Sequence, residues 1–154
     1  MGSRPRAKTG SPGPVTAGVP FIAHESEAPM IPLGAQMMQV VMDPEAGGSG
    51  RLTIGRSHWP AGGAGKPHAH EGWEEMFYVL SGEGELLAGG ELYALRPGVV
   101  VCVPERVPHC VAAVGKDGLE MIFLLAPGVP GRLLSPTAAA RPREGAGPQG
   151  GGER

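Results

Sequence analysis

The chain has 154 residues, a formal net charge of −2, a pI near 6.2 and 41% hydrophobic residues, together with 27 Gly and 17 Pro. That length suits one domain with its own core and is short for two, and the near-neutral charge leaves no basic footprint for nucleic acid. No run of eighteen apolar residues occurs, and no apolar stretch follows the basic residues at the N-terminus. A membrane span and a signal peptide are therefore not expected, and a soluble cytoplasmic protein is.

From Met1 to Leu33 the sequence is punctuated by breakers, among them Gly10, Pro12, Gly13, Pro14, Gly18, Pro20, Pro29 and Pro32. Such a segment buries too little apolar surface to offset its ordering entropy, so residues 1–33 are expected to be disordered or extended. Arg4, Arg6 and Lys8 read as a solvated basic cluster. Phe21 and Ile22 form an apolar pair there, a candidate edge segment on the folded body.

After Gly34 short apolar runs alternate with Gly, Pro and charged turns, the pattern of an all-β domain. Strands are predicted near Met37–Met42, Arg51–Trp59, Lys66–His70, Glu75–Leu80, Gly84–Ala88, Glu91–Leu95, Val99–Val103, His109–Val114 and Leu119–Leu125. Gly89-Gly90 predicts a tight hairpin turn, because adjacent glycines accept positive φ, and Pro97-Gly98 and Gly115–Gly118 predict two further turns. No segment has helical periodicity. Beyond Pro127 the composition returns to Gly, Pro, Ala and Arg, and residues 128–154 are expected to form a disordered tail. Residues 34–127 remain, eight or nine short strands suited to a jelly roll or closed barrel whose interior holds one small ligand.

The two cysteines, Cys102 and Cys110, are too few for a disulfide framework and are read as free thiols, although a turn over Pro104–Pro108 would place them roughly opposite one another. Met37, Met38, Val40, Val41 and Met42 form a candidate edge strand with little charge, and open edges favour strand pairing between chains, so a homodimer is expected.

His68-Ala-His70, followed by Glu75 and later by His109, carries the chemistry. Two histidines one residue apart share a face of an extended segment. Three imidazoles and a carboxylate suit Fe, Mn, Ni, Cu or Zn, and ligand types alone do not select among them. A metal preferring six donors would keep positions for substrate, which is what separates catalytic from structural sites. Arg56 could clamp an acidic substrate if its strand turns it inward. Phe77 and Val79 share the facing of Glu75, with Met76 and Tyr78 on the other side. Trp73, Tyr93 and Glu120 have no assignable role, and His24 and His58 read as ordinary polar residues.

The block from Gly62 through His68, His70 and Glu75 to Gly82 resembles the first cupin motif, G-x5-H-x-H-x4-E-x6-G, at every fixed position. The block from Gly98 through Pro104 to His109 resembles the second, G-x5-P-x-G-x2-H-x3-N, but has Arg106 in place of glycine and Ala113 in place of asparagine. Glu74 competes with Glu75 as the carboxylate, and the six-residue gap to Gly82 selects Glu75.

The resemblance spans about Arg51 to Pro127. It implies a small double-stranded β-helix (jelly-roll) cupin barrel in which His68, His70, Glu75 and His109 bind one divalent transition-metal ion. It further implies a metal-dependent enzyme acting on a small oxygenated organic molecule, foremost of dioxygenase type. The alternatives are a non-redox cyclase, isomerase or lyase, such as a polyketide cyclase, and a non-catalytic ligand-binding cupin. In relatives of this kind the glutamate can also take a proton, which makes Glu75 a candidate general base as well as a ligand. The expected partners are a small-molecule substrate and a second copy of the chain, with no nucleic acid or membrane.

Overall fold

The computed structural model describes residues 21–47 and 49–134. Among these residues nine strands follow one another: β1 (Ile31–Leu33), β2 (Gln36–Met42), β3 (Thr53–Trp59), β4 (Glu74–Gly82), β5 (Gly84–Ala88), β6 (Glu91–Leu95), β7 (Val100–Val103), β8 (His109–Ala113) and β9 (Leu119–Ala126). Six form one sheet in the order β1-β2-β3-β9-β4-β7, and three form a second, β6-β5-β8. Every pairing between these strands is antiparallel. The all-β jelly-roll class expected from the sequence is what forms. No helix among the described residues is long and apolar enough to cross a membrane.

Alternation explains how the sheets close on one another. Along β9, Leu119, Met121, Phe123 and Leu125 are buried while Glu120, Ile122 and Leu124 face away. β3 alternates likewise, with Thr53, Gly55, Ser57 and Trp59 buried. Glycine is required at 55: a Cβ there would strike the Gln39 carbonyl oxygen and sit 2.6 Å from the Phe123 ring. The core that results joins Phe77 and Val79 of β4 to Leu86, Leu95, Val103 and Val111. Phe77 and Val79 thus face inward with Glu75, and Tyr78 is exposed, as the period of two dictates.

The turns follow their residues. Gly89 and Gly90 both take positive φ, 59° and 91°, and join β5 to β6 as a two-residue hairpin. Gly98 takes φ 87° in the turn that the Val99 N–H closes onto the Arg96 carbonyl at 3.0 Å.

The body extends past both boundaries read from composition. β1 pairs with β2 and is the true edge, so Met37–Met42 is an interior strand rather than an edge. Ile31 and Leu33 supply the apolar positions for that edge, whereas Phe21 and Ile22 form no strand and Ile22 is exposed. At the other end Val129 is buried, and the Gly131 N–H donates to Asp43 Oδ2 at 2.6 Å. The Thr53 hydroxyl adds two further bonds, to the carbonyl and the amide of Val129. Residues 1–20 and 135–154, including the basic cluster at Arg4, Arg6 and Lys8, lie outside the described residues. Cys102 on β7 and Cys110 on β8 belong to different sheets and are free thiols, so they are not hairpin neighbours.

Asp43 is the polar clasp of this end. Its Oδ1 accepts from Glu45 and Ala46 at 2.7 and 2.6 Å, and its Oδ2 from Gly131. Burial opposes its ionisation, but the three amides and the Arg132 charge outweigh burial and hold the carboxyl below its ordinary value of 3.8. A depressed pKa contributes stability that is present above 3.8 and lost as pH falls through the folded value. Asp43→Ala leaves three amides without that acceptor and is expected to cost roughly 3 kcal/mol, read as a lower denaturant midpoint at pH 7. The difference from the parent is expected to shrink below pH 3.8.

Candidate metal centre

His68, His70, Glu75 and His109 each offer one donor atom, and these four atoms lie within 4.8 Å of one another. Glu75 opens the inward face of β4 and His109 opens β8. The segment Lys66–His70 forms no continuous strand. It meets β8 where His68 and His109 exchange backbone hydrogen bonds of 3.0 and 2.8 Å. That bridge sets His68 directly beside His109, with ring centroids 4.4 Å apart.

Backbone carbonyls fix two of the tautomers. His68 Nδ1 lies 2.9 Å from the Lys66 carbonyl, and His109 Nδ1 lies 2.9 Å from that of Val107. A carbonyl only accepts, so each Nδ1 carries the proton and donates it, and each Nε2 presents its lone pair inward. Trp73 stacks on His70 with ring centroids 5.1 Å apart and planes 26° apart, setting the third imidazole by packing. Nothing in the spacing of the motif singled out Trp73, which lies three residues beyond His70.

Glu75 Oε2 lies 2.9 Å from His70 Nε2 and 3.1 Å from His109 Nε2. With Nδ1 of His109 already protonated, its Nε2 faces the carboxylate as one electron-rich atom facing another. That approach is favourable only with a cation between them, either a proton or a metal ion. The donor set therefore fits a divalent transition metal. Burial disfavours the Glu75 carboxylate, yet the hydrogen bonds and charges of His109 and His70 outweigh it and hold its pKa below 4.5. For His109, burial is outweighed by Glu75 and the Val107 carbonyl, which raise its pKa above 6.5. His68 is lowered, chiefly by burial, toward the neutral form that binds metals.

The four residues sit in the wall of a cavity of about 800 Å³. Most of its lining is apolar, with Met38, Trp59, Phe77, Val111, Phe123 and Leu125 prominent. Arg56 is not in it. Its side chain faces away from the core, with Nη1 at 2.6 and 2.7 Å from the two Glu25 carboxylate oxygens and Nη2 at 2.8 Å from Glu120 Oε2. His58 joins the same outer cluster through Glu120, and His24 caps a short 3-10 turn with its own side chain. Tyr93 is exposed on β6, which also removes it from the cavity. Glu74 points outward to Cys102, so Glu75 is the inward carboxylate.

Residues 55–125 match the cupin domain family. The chain carries a cupin domain. It is similar to an uncharacterized protein, MJ1618, of Methanocaldococcus jannaschii, at 21% identity over 99 residues, covering 64% of this chain and 79% of that protein. Among solved structures it resembles KdgF from Halomonas sp. at 23% identity with a TM-score of 0.64, covering 75% of this chain and 100% of the other. It also resembles the polyketide cyclase RemF from Streptomyces resistomycificus at 20% identity and a TM-score of 0.63, covering 73% and 82% of the two chains.

The two departures from the second cupin motif have structural answers. Arg106, where the motif has glycine, keeps the left-handed backbone at φ 64°, and its N–H donates to the His70 carbonyl at 2.7 Å. The turn that aligns His109 with His70 is thus retained with backbone strain. Arg106→Gly is expected to stabilise the cupin domain by about 0.5–1 kcal/mol, since the left-handed region costs an L-residue more than glycine's added chain entropy. A melting temperature unchanged or lowered would count against it. Ala113, where the motif has asparagine, is buried, and its backbone bonds Gly63 and Gly62 at 2.8 and 3.0 Å.

Proposed function

We propose that this cupin is a metal-dependent enzyme acting on a small, mainly apolar organic molecule that presents an enolate or two adjacent oxygens to the metal. The observation that carries the reading is the convergence of three imidazoles and Glu75 in the wall of an apolar cavity. Held by His68, His70, Glu75 and His109, a divalent transition metal would polarise a substrate oxygen and, if redox-active, support dioxygen chemistry.

The chain's own residues account for the rest. The apolar walls suit the apolar part of the substrate. Glu75 Oε2 is held between His70 and His109, whereas Oε1 has no hydrogen bond among the described residues. That oxygen would take a proton from the substrate carbon or hydroxyl, the general-base role that we assign to Glu75. Among the described residues no guanidinium lines the cavity and Lys66 is its one lysine, so a neutral or phenolic substrate fits better than a small dicarboxylate.

Dioxygenase chemistry is the first form proposed, and a non-redox cyclisation, isomerisation or elimination the second. The apolar lining favours the second as much as the first, because Glu75 and a polarised oxygen suffice for proton transfer. Oxygen uptake separates them when metal-loaded protein is screened against catechols, flavonols and enolisable polyketides. Substrate consumed with stoichiometric uptake supports the first form. Consumption under nitrogen supports the second, and no consumption by any metal-loaded form would contradict the proposal.

A further inference from the structure

β3 turns two hydroxyl side chains to its buried face, and they have different partners. Thr53 spans the amide and carbonyl of Val129. Among the described residues Ser57, 4% exposed, bonds Gln36 alone, its Oγ donating to Gln36 Oε1 at 2.7 Å. Gln36 opens β2 just beyond the Gly34-Ala35 turn, and both it and Ser57 line the cavity. The bond to Ser57 occupies the Gln36 oxygen, while its amide nitrogen has no hydrogen bond among the described residues. Gln36 is half-buried, whereas Trp59, the next inward residue of β3, fully buries an indole N–H that has no partner among the described residues.

Among the described residues, apart from Lys66, the Trp59 indole and the four donor residues, Gln36 and Ser57 are the polar side chains of this wall. Leucine and alanine would line it without the cost of withdrawing Ser57 and part of Gln36 from water. The pair also stands apart from the metal centre. Ser57 is level with Met121 on β9 and Glu75 with Leu125, so four residues of β9, roughly 13 Å of strand, separate the two levels.

We infer that the Gln36 amide, oriented by Ser57, is a specificity-determining donor that binds an oxygen acceptor on the substrate at the end remote from the metal centre. The substrate class is then a flat, apolar molecule with oxygens at both ends, such as a hydroxylated quinone or aromatic polyketide. Gln36 touches the ligand, and Ser57 acts through Gln36. The inference rests on the metal-centre reading above and specifies its substrate.

The test uses full-length protein loaded with zinc, which is redox-inert, and quenching of tryptophan fluorescence by two probes. Naphthalene-2,3-diol has the adjacent oxygen pair alone, whereas 1,2-dihydroxyanthraquinone adds a carbonyl remote from that pair. Gln36→Leu is expected to weaken the anthraquinone by about tenfold or more while leaving the diol within about twofold. Gln36→Glu, which keeps the size but offers no amide donor, should show the same loss, and Ser57→Ala a smaller one. Equal effects on both probes, no effect on either, or full affinity in Gln36→Glu would overturn the inference and leave the metal centre standing. Failure of both probes to bind the zinc-loaded parent would overturn the metal-centre reading and the inference with it.

Discussion

His109→Ala is expected to lower metal affinity by well over 100-fold and to leave the purified protein with under about one-tenth of an equivalent, since losing even a residue behind a ligand costs about 10–100-fold. His109 is the most buried of the four donors, its side chain 1% exposed, and its tautomer is fixed by the Val107 carbonyl. Its removal also strips Glu75 of a hydrogen-bond partner inside the wall, so the variant should be less stable even without metal. Equilibrium dialysis and thermal melting read the two effects separately. In the metal-free parent the Glu75–His109 pair sets a pH window. Glu75, lowered, contributes above 4.5 and loses its contribution as pH falls through its folded value. His109, raised, contributes fully below 6.5 and loses its contribution as pH rises through its folded value. The pair therefore supports the metal-free fold best between 4.5 and 6.5, and His109→Ala should flatten that profile. Metal at 100 times its Kd would add about 2.7 kcal/mol to the parent.

Glu75→Gln has the second large effect, a loss of turnover of about 10²–10⁴-fold, the usual worth of a general base. The substitution keeps size and keeps an oxygen and a nitrogen within reach of His70 and His109, while removing the charge and the proton acceptor. Metal binding should weaken, so turnover must be compared at saturating metal. In the metal-free protein His109 and His70 outweigh burial and hold Glu75 below 4.5, so it enters metal binding as a carboxylate at neutral pH. Unchanged turnover in metal-saturated Glu75→Gln would remove Glu75 from the chemistry and leave it a ligand alone.

Local patterns carried much of this architecture in the sequence. Alternation in β3, β4 and β9 and the glycines at 89, 90 and 98 are short-range signals, and the strands and turns form where they point. The motif spacing likewise brought together the four residues that the fold converges on. What escaped depends on pairing across long sequence separations. Ile31–Leu33 reads as part of a breaker-rich tail until β2 pairs with it, and Gly128–Leu134 is held by Asp43 and Thr53, more than seventy residues away. Arg56 had two possible facings from composition alone, and the register of β3 with β9 decides it by placing Ser57 inward and Glu120 beside Arg56. Trp73 and Gln36 have no spacing signal, because stacking on His70 and bonding to Ser57 arise from the closure of the barrel.

The most direct test of the metal-centre account is elemental analysis of protein purified without an affinity column or chelator, beside the His68→Ala/His109→Ala variant. The account predicts about one equivalent of a transition metal per folded parent chain and essentially none in the variant. A folded parent that holds no metal and takes up none when iron, manganese, nickel, copper or zinc is added would contradict it.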